Sequence, residues 1–321
     1  MEIVREVSTI ASVAMPVGER WSVRRCRYAP QGESAGRLCL ATGTHGDETM
    51  GQLVVYGLVT RIMREPEHLR GTLDVYPMLN PLGLDIGERM VPSDTRLDMN
   101  RAFPGSLGGT ALESLCYRIF KDMLGADLVL DLHASTHFKS EWFEARLCAR
   151  DAERLYDNAL AMRPQLIWIM PDRVDFDASL TGALSAAGTS AMILEADERR
   201  RRPQDIADLV VEGIFCQMKQ MGIWTGEALP PLSREEVPCI RNPKDVLRFS
   251  CDVPGVYVPR DCLGKWVKQG ELLGEVIDAL EGVCRDEVRA PLDALVFSQR
   301  SYSPVYPGTL IARLLRKERE A

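Results

Sequence analysis

RLCLATGTHGDETMGQLVVYGLVTRI, residues 37–62, decides the class of fold. Its first six residues are a short apolar run of strand length, broken by Gly43 and the polar stretch through Asp47. From Met50 onward the apolar residues change period. Met50, Leu53, Val54, Leu58 and Ile62 recur three or four apart, which is one face of an amphipathic helix. A buried strand running through a polar loop into such a helix opens an α/β unit, and open α/β sheets place ligands at the carboxyl edge of their strands.

The alternation continues along the chain. Residues 72–79 (TLDVYPML) form the next strand, with Pro77 marking an edge or an irregular end. Residues 110–124 form a helix opened by a capping box, Thr110 with Glu113. Residues 127–133 (DLVLDLH), 166–170 (LIWIM) and 190–195 (SAMILE) read as buried strands. A last helix starts at Pro203, a good first-turn residue, and runs to Gly222. Between these elements, residues 80–105 show almost no helical or strand periodicity, and a loop that long inside a compact domain is usually functional.

After Gly226 the character changes. Pro230, Pro231, Pro238, Pro243, Pro254 and Pro259 mark a linker followed by short strands. Two halves then each end in a glycine turn and an apolar run, at Gly270 and Gly308. The expected division is an α/β domain over residues 1–225 and a small all-β, barrel-like module over 226–321.

Lys plus Arg number 39 against 46 Asp plus Glu, a net charge of −7, which argues against a general nucleic-acid binder. No run of 18 apolar residues exists, so no membrane span is expected, and the charged amino-terminal stretch does not read as a secretory signal. The nine cysteines are scattered and none forms C-x-x-C. They read as small buried hydrophobes of a reducing compartment, by default the cytoplasm.

Of four histidines, His45 and His133 follow or close apolar strands. His45 is followed by Glu48, a spacing that brings an imidazole and a carboxylate onto one divalent ion from a loop entering a helix. Two histidines and one carboxylate, with a fourth position for water, make a common catalytic zinc shell. Asn100 and Arg101 offer an amide and a guanidinium side by side for a carboxylate, and Arg89 and Arg96 lie in the same loop, where either can polarise a carbonyl. His68 reads as a solvent-exposed turn residue and His137 as a candidate neighbour of the site. The run at 198–203 (ERRRRP) reads as a solvated loop near enough to Glu195 to attract anions.

The ordered series G-x-H-G-D-E, N-P-L-G, D-M-N-R-A-F-P-G, D-L-H and L-E closely resembles the succinylglutamate desuccinylase/aspartoacylase family, a branch of the zinc carboxypeptidase fold. The resemblance implies a zinc-carboxypeptidase-like mixed sheet flanked by helices, followed by a module resembling a lipoyl/biotinyl-type barrel. It implies one Zn2+ held by His45, Glu48 and His133, and a substrate carboxylate held by Asn100 and Arg101. The carbonyl-polarising arginine falls best on Arg89, with Arg96 as the alternative, and the general base falls on Glu195. The chemistry suits those residue types: zinc-bound water has a pKa near ~7, and a carboxylate can move its proton to the leaving amine. Without the resemblance, Glu195 is a strand-end acid that could pair with one of Arg199–Arg202.

The aspartoacylase branch reads an acidic substrate side chain with an arginine shortly before its base glutamate, yet residues 179–194 hold no basic residue. Asp172, Asp175 and Asp177 stand upstream, beside Arg173, and would favour an amino-bearing substrate. No lysine flanked by methionines occurs in the β module, which argues against biotin or lipoate attachment. The expected activity is a zinc-dependent amidohydrolase that deacylates an N-acyl amino acid with a free carboxylate. The alternatives are a carboxypeptidase using the same site and a non-catalytic binding homologue. No nucleic-acid or membrane partner is expected, and a homo-oligomer is left open.

Overall fold

A computed structural model describes residues 3–16, 18–92, 97–135, 138–172, 174–197 and 202–316, with the backbone alone at 174 and 175. In chain order the first part contains β1 (Ile3–Ala14), β2 (Arg20–Pro30), β3 (Arg37–Thr42), α1 (Met50–Arg64), β4 (Thr72–Tyr76), α2 (Pro81–Ile86) and α3 (Ala111–Met123). β5 (Leu128–Ala134), β6 (Lys139–Glu141), β7 (Glu144–Cys148), α4 (Ala152–Ala161), β8 (Leu166–Met170), α5 (Val174–Asp177), α6 (Leu180–Ala186), β9 (Ala191–Ala196), α7 (Pro203–Gln220) and β10 (Cys239–Ile240) follow.

Nine strands form one mixed sheet in the order β1-β2-β4-β3-β5-β9-β7-β8-β10. β4, β3, β5 and β9 are parallel, whereas β7 pairs antiparallel with β9. Side-chain alternation divides the sheet into two faces. Leu38, Leu40, Leu130, Leu132, Met192 and Leu194 pack against α1, α4 and α7 in one core. Cys39, Ala41, Val129 and Ala191 face α3 and α6 in the other. By the same period, Asp131, His133, Glu195, Glu144 and Arg146 belong to this second face.

β3 is the point where the connections reverse: the chain moves to β4 on one side and reaches β5 on the other. The carboxyl ends of β3 and β5 therefore border a crevice, the usual ligand position in open sheets. Two glycines close its rim. A Cβ on Gly46 would lie 2.0 Å from Gly83 C, and one on Gly83 would lie 2.4 Å from the Asn80 amide, so the loop after β3 and α2 can touch only without side chains.

Several expectations are corrected. Residues 80–105 are not structureless: they contain α2 and a 3₁₀ turn at Met99–Arg101. Both are too short for periodicity to register, although Asn80 caps α2 through Gly83 N (3.0 Å) and Asp98 caps the turn through Asn100 N (2.9 Å). β4 stops at Tyr76 and lies inside the sheet between β2 and β3, so Pro77 ends an interior strand and marks no edge. The amino-terminal hairpin β1–β2 extends the sheet; β1 is an edge strand exposed on both faces over Val4–Val7, so no apolar alternation marks its start.

The remaining chain contains β11 (Val246–Ser250), β12 (Gly255–Pro259), β13 (Trp266–Val267), β14 (Leu272–Asp278), β15 (Val283–Arg289), β16 (Ala294–Arg300), β17 (Ser303–Val305) and β18 (Leu310–Arg316). They form two antiparallel sheets around a core that includes Tyr257, Leu273, Val276, Val296 and Ile311. Gly270 and Gly308, the two glycine turns of the repeat, both have φ of +84°. This module reaches into the α/β part. β16 pairs with β6, and Phe297 packs edge-on against Trp168 of β8 at 5.7 Å.

Candidate metal centre and active-site cavity

His45 sits in the loop after β3, Glu48 one residue before the Thr49 cap of α1, and His133 near the end of β5. All three are buried, and their ligand atoms lie within 4.8 Å of one another. Nδ1 of His45 is 2.7 Å from Glu48 Oε1, and Nδ1 of His133 is 2.9 Å from Glu48 Oε2. The backbone N–H of Ala134 also donates to Glu48 Oε2 (3.1 Å), tying the carboxylate to β5.

The outer ring nitrogens face carboxylates. His45 Nε2 is 3.1 Å from Asp98 Oδ1, and His133 Nε2 is 3.4 Å from Asp131 Oδ1. Such outer carboxylates hold the proton on Nε2 and turn the Nδ1 lone pair toward a metal, the usual support of a histidine ligand. Two imidazole nitrogens and a carboxylate, converging in this way, suit a zinc-type ion with a further position for water or substrate.

The electrostatics follow from this packing. Burial would push the Glu48 carboxyl up, yet the adjoining His133 and His45 rings hold it far below the usual carboxylate range. Burial opposes charge on His45, but hydrogen bonding to Asp98 and Glu48 outweighs it and raises the ring above 6.5. His133 is raised well above the same value by Asp131 and Glu48, again against burial. Burial likewise opposes ionisation of Asp98, and His45 brings it down to about 2. The cluster is a strong cation trap, and two protons or one divalent ion can satisfy it.

His45, Glu48, Arg89, Asn100, Arg101, His133 and Glu195 line one cavity of about 250 Å³. Arg89 donates to Glu48 Oε1 (2.9 Å), held there because the buried Asn80 amide donates to the Met90 carbonyl (3.3 Å). Asn100 Oδ1 accepts from Leu180 N (3.0 Å), which leaves its Nδ2 3.3 Å from His133 Nε2. Arg101 is exposed and donates to the Asn100 carbonyl. Glu195 lies directly opposite His133 in the parallel β5–β9 pairing, so the two side chains share a face.

Lys139, Glu141 and Arg146 also line this cavity and were missed in the sequence. β6 and β7 span only three and five residues, too short for the alternation Glu144-Ala145-Arg146-Leu147 to stand out as a strand. Asp98 and Asp131 were missed as well. Their signal was available: each lies two residues from a motif residue, in D-M-N-R and D-L-H.

Among the described residues, the arginine partner of Glu195 is Arg146, whose Nη1 donates to its Oε1 (2.6 Å). Residues 199–201 lie outside the described residues, and Arg202 approaches Asp205 at 3.7 Å. Arg96, His137 and Arg173 also lie outside the described residues. Asp172 and Asp177 both accept from Arg150, one positive charge shared between two carboxylates; the Asp175 side chain is not described. His68 is half-buried against Trp224, with ring centroids 5.5 Å apart, rather than fully exposed.

Residues 34–213, more than half of the chain, match the sequence pattern of the succinylglutamate desuccinylase/aspartoacylase catalytic domain. The chain belongs to this family. Its members are acyl-removing hydrolases, on a carboxypeptidase-like fold. No curated protein matches the chain. Among solved structures, it is similar to a succinylglutamate desuccinylase/aspartoacylase from Rhodobacter sphaeroides, with 19% identity, 99% and 96% of the two chains covered and a TM-score of 0.78. The product-bound ectoine utilization protein EutE (DoeB) from Ruegeria pomeroyi gives 21% identity, 98% and 95% coverage and 0.77. A metallo-carboxypeptidase from Burkholderia cenocepacia gives 13% identity, 67% and 65% coverage and 0.53. At these identities the likeness establishes the fold. Among the described residues, no helix is long and apolar enough to cross a membrane.

Proposed function

We propose that this member of the family is a zinc-dependent amidohydrolase that removes the acyl group from an N-acyl amino acid or a related small amide. The observation that carries the reading is the convergence of His45, Glu48 and His133 beside Glu195 in one small cavity. A zinc ion held by the three ligands supplies an acidified water and a Lewis acid for the scissile carbonyl.

The remaining steps belong to the chain. Glu195 accepts the proton of the attacking water and delivers it to the leaving amine nitrogen. Arg89 is fixed beside Glu48 and about one-third exposed, so its guanidinium can also donate to the carbonyl oxygen as negative charge develops there. With His133 Nδ1 turned to the metal, its Nε2 carries the proton and the nearest carboxylate oxygen to it is Asp131 Oδ1, at 3.4 Å. The Asn100 amide is then left to donate to a substrate carboxylate together with Arg101. Arg96, in the same loop, is a further substrate-binding candidate on the sequence.

A cavity of about 250 Å³, walled by β6 and backed by β16 of the β module, favours small amides over long peptides. The division near residue 225 is kept as a proposal for two functional units, although β10, beyond that point, completes the large sheet. All nine cysteines are free, which supports a reducing, cytoplasmic setting.

The test is a panel of N-acyl amino acids varying both halves, with a blocked tripeptide beside them, assayed on the zinc-loaded and the chelated protein. The reading expects zinc-dependent release of free amino acid from at least one panel member and little cleavage of the tripeptide. Equal rates in the two metal states, or cleavage of the tripeptide alone, would overturn it.

A further inference from the structure

Outside the metal ligands, Glu195 belongs to a charge network whose other members the proposed chemistry does not use. β7 runs antiparallel to β9 and places Glu144 directly opposite Glu195, and Arg146 opposite Ile193. Two carboxylates facing each other across strands repel. Arg146, two residues along on the same face, separates them: its Nη1 donates to Glu195 Oε1 (2.6 Å) and its Nε to Glu144 Oε2 (2.8 Å). The guanidinium lies over Trp168, 5.4 Å from the ring centroid. Glu144 is fully buried, and its Oε1 has no hydrogen-bond partner among the described residues.

For stability alone, this arrangement is a poor choice. Buried ion networks often contribute less than apolar side chains of similar volume, because desolvation offsets the attraction. What the network does provide is a fixed carboxylate beside the metal ligands.

We propose that Arg146 is the positioning residue of Glu195, and that Glu144 is the buried acid whose ionisation competes with Glu195 for that guanidinium. The proposal rests on the reading of Glu195 as the general base.

Burial pushes the Glu144 carboxyl up to about 7, with Arg146 opposing and Glu141 and Glu195 adding to the rise. The charged groups facing Glu144 are thus Arg146 on its own strand, Glu195 on β9 and Glu141 on β6. On β8 its pairing partner is the apolar Leu166. Glu141 is itself held by Lys139 Nζ (3.2 Å) and by Arg313 Nη1 of β18 (2.6 Å), and Arg146 Nη2 lies 4.0 Å from its Oε1. With Glu144 protonated, the guanidinium serves Glu195 alone and holds it oriented. With Glu144 ionised, one guanidinium is shared between two facing carboxylates, and Glu195 is held less firmly.

The test uses the zinc-loaded full chain and an N-acetyl amino acid that it turns over. Wild type, Glu195→Gln, Arg146→Gln, Arg146→Lys and Glu144→Gln are compared for kcat and KM across pH, with thermal unfolding and metal content measured on each. Arg146→Gln should lower kcat by about 10–100-fold, the usual cost of losing such a support, with KM and metal content nearly unchanged. Arg146→Lys should recover part of the loss. Wild-type kcat should fall as pH rises through the Glu144 range, and Glu144→Gln should lack that fall.

A folded Arg146→Gln with wild-type kcat, or a Glu144→Gln with the wild-type pH profile, overturns the proposal while an inactive Glu195→Gln leaves the base standing. An active Glu195→Gln removes the base and this proposal together. Should Arg146→Gln not fold, the Glu144→Gln profile decides alone.

Discussion

The two walls of the cavity are built in different ways. The metal-facing wall comes from the ends of β3 and β5, where His45, Glu48 and His133 converge from short contiguous motifs. The adjoining wall comes from β6, β7 and β9, where Lys139, Glu141, Arg146 and Glu195 meet only through strand pairing. The first wall is dominated by groups held ready for a cation, the second by carboxylates held apart by arginine. On the proposed function, this difference makes metal binding and proton transfer separable: a variant of one wall should leave the other intact.

The largest expected effect sharpens that separation. Glu195→Gln keeps the shape of the side chain but cannot accept a proton, so turnover should drop by about 10²–10⁴-fold, or ~3–5 kcal/mol of barrier. Steady-state kinetics should show little change in substrate affinity, since Asn100 and Arg101 are intact. Turnover within about threefold of wild type would leave Glu195 as the ion-pair partner of Arg146 and nothing more.

On the other wall, Asp98→Asn removes the carboxylate behind His45 without touching a ligand. Metal affinity should weaken by about 10–100-fold, measured by competition with a chelator, because the Nε2 proton is no longer anchored. An unchanged affinity would mean that His45 does not bind through Nδ1.

Proton competition gives a pH signature. His45 and His133 are raised above 6.5 without the ion, and only neutral imidazole binds metal, so affinity should decline as pH falls and the decline should begin above pH 6.5. Calorimetric titration with zinc across pH 5.5–8.5 measures it. Affinity independent of pH over that range would contradict histidine ligation.

The smallest expected effect is on stability. The Glu144 carboxyl is raised from 4.5 to about 7 in the folded chain. A raised acid stabilises the fold fully below its unfolded value, and that contribution is lost as pH rises through the folded one. Glu144→Gln mimics the neutral form. Its unfolding midpoint should match wild type near pH 4.5 and exceed it above pH 7, by about 1–3 kcal/mol in stability. Equal midpoints at both pH values would place Glu144 in a solvated or fully paired setting.

The same contrast explains what was legible in the sequence. His45, Glu48, Asn100 and His133 could be read because each stands in a local motif tied to a strand end or a helix start. α3 was readable to its capping box, since Thr110 and Glu113 do hydrogen-bond as their spacing predicts. Arg146 could not be read, because its role depends on β7 running antiparallel beside β9, a pairing with no mark in either segment. The pairing of Glu195 with Arg146 could not be read for the same reason: strand register, not sequence distance, brings the two together. β1 was hidden because an edge strand exposed on both faces at its start carries no apolar alternation.

The most direct measurement is the zinc content per chain, by mass spectrometry of protein purified without chelator, in wild type, His133→Ala and Glu195→Gln. If the two walls divide ligation from proton transfer, wild type and Glu195→Gln each retain one zinc and His133→Ala retains essentially none. Equal metal in all three, or loss of metal in Glu195→Gln, would contradict the assignment of the site.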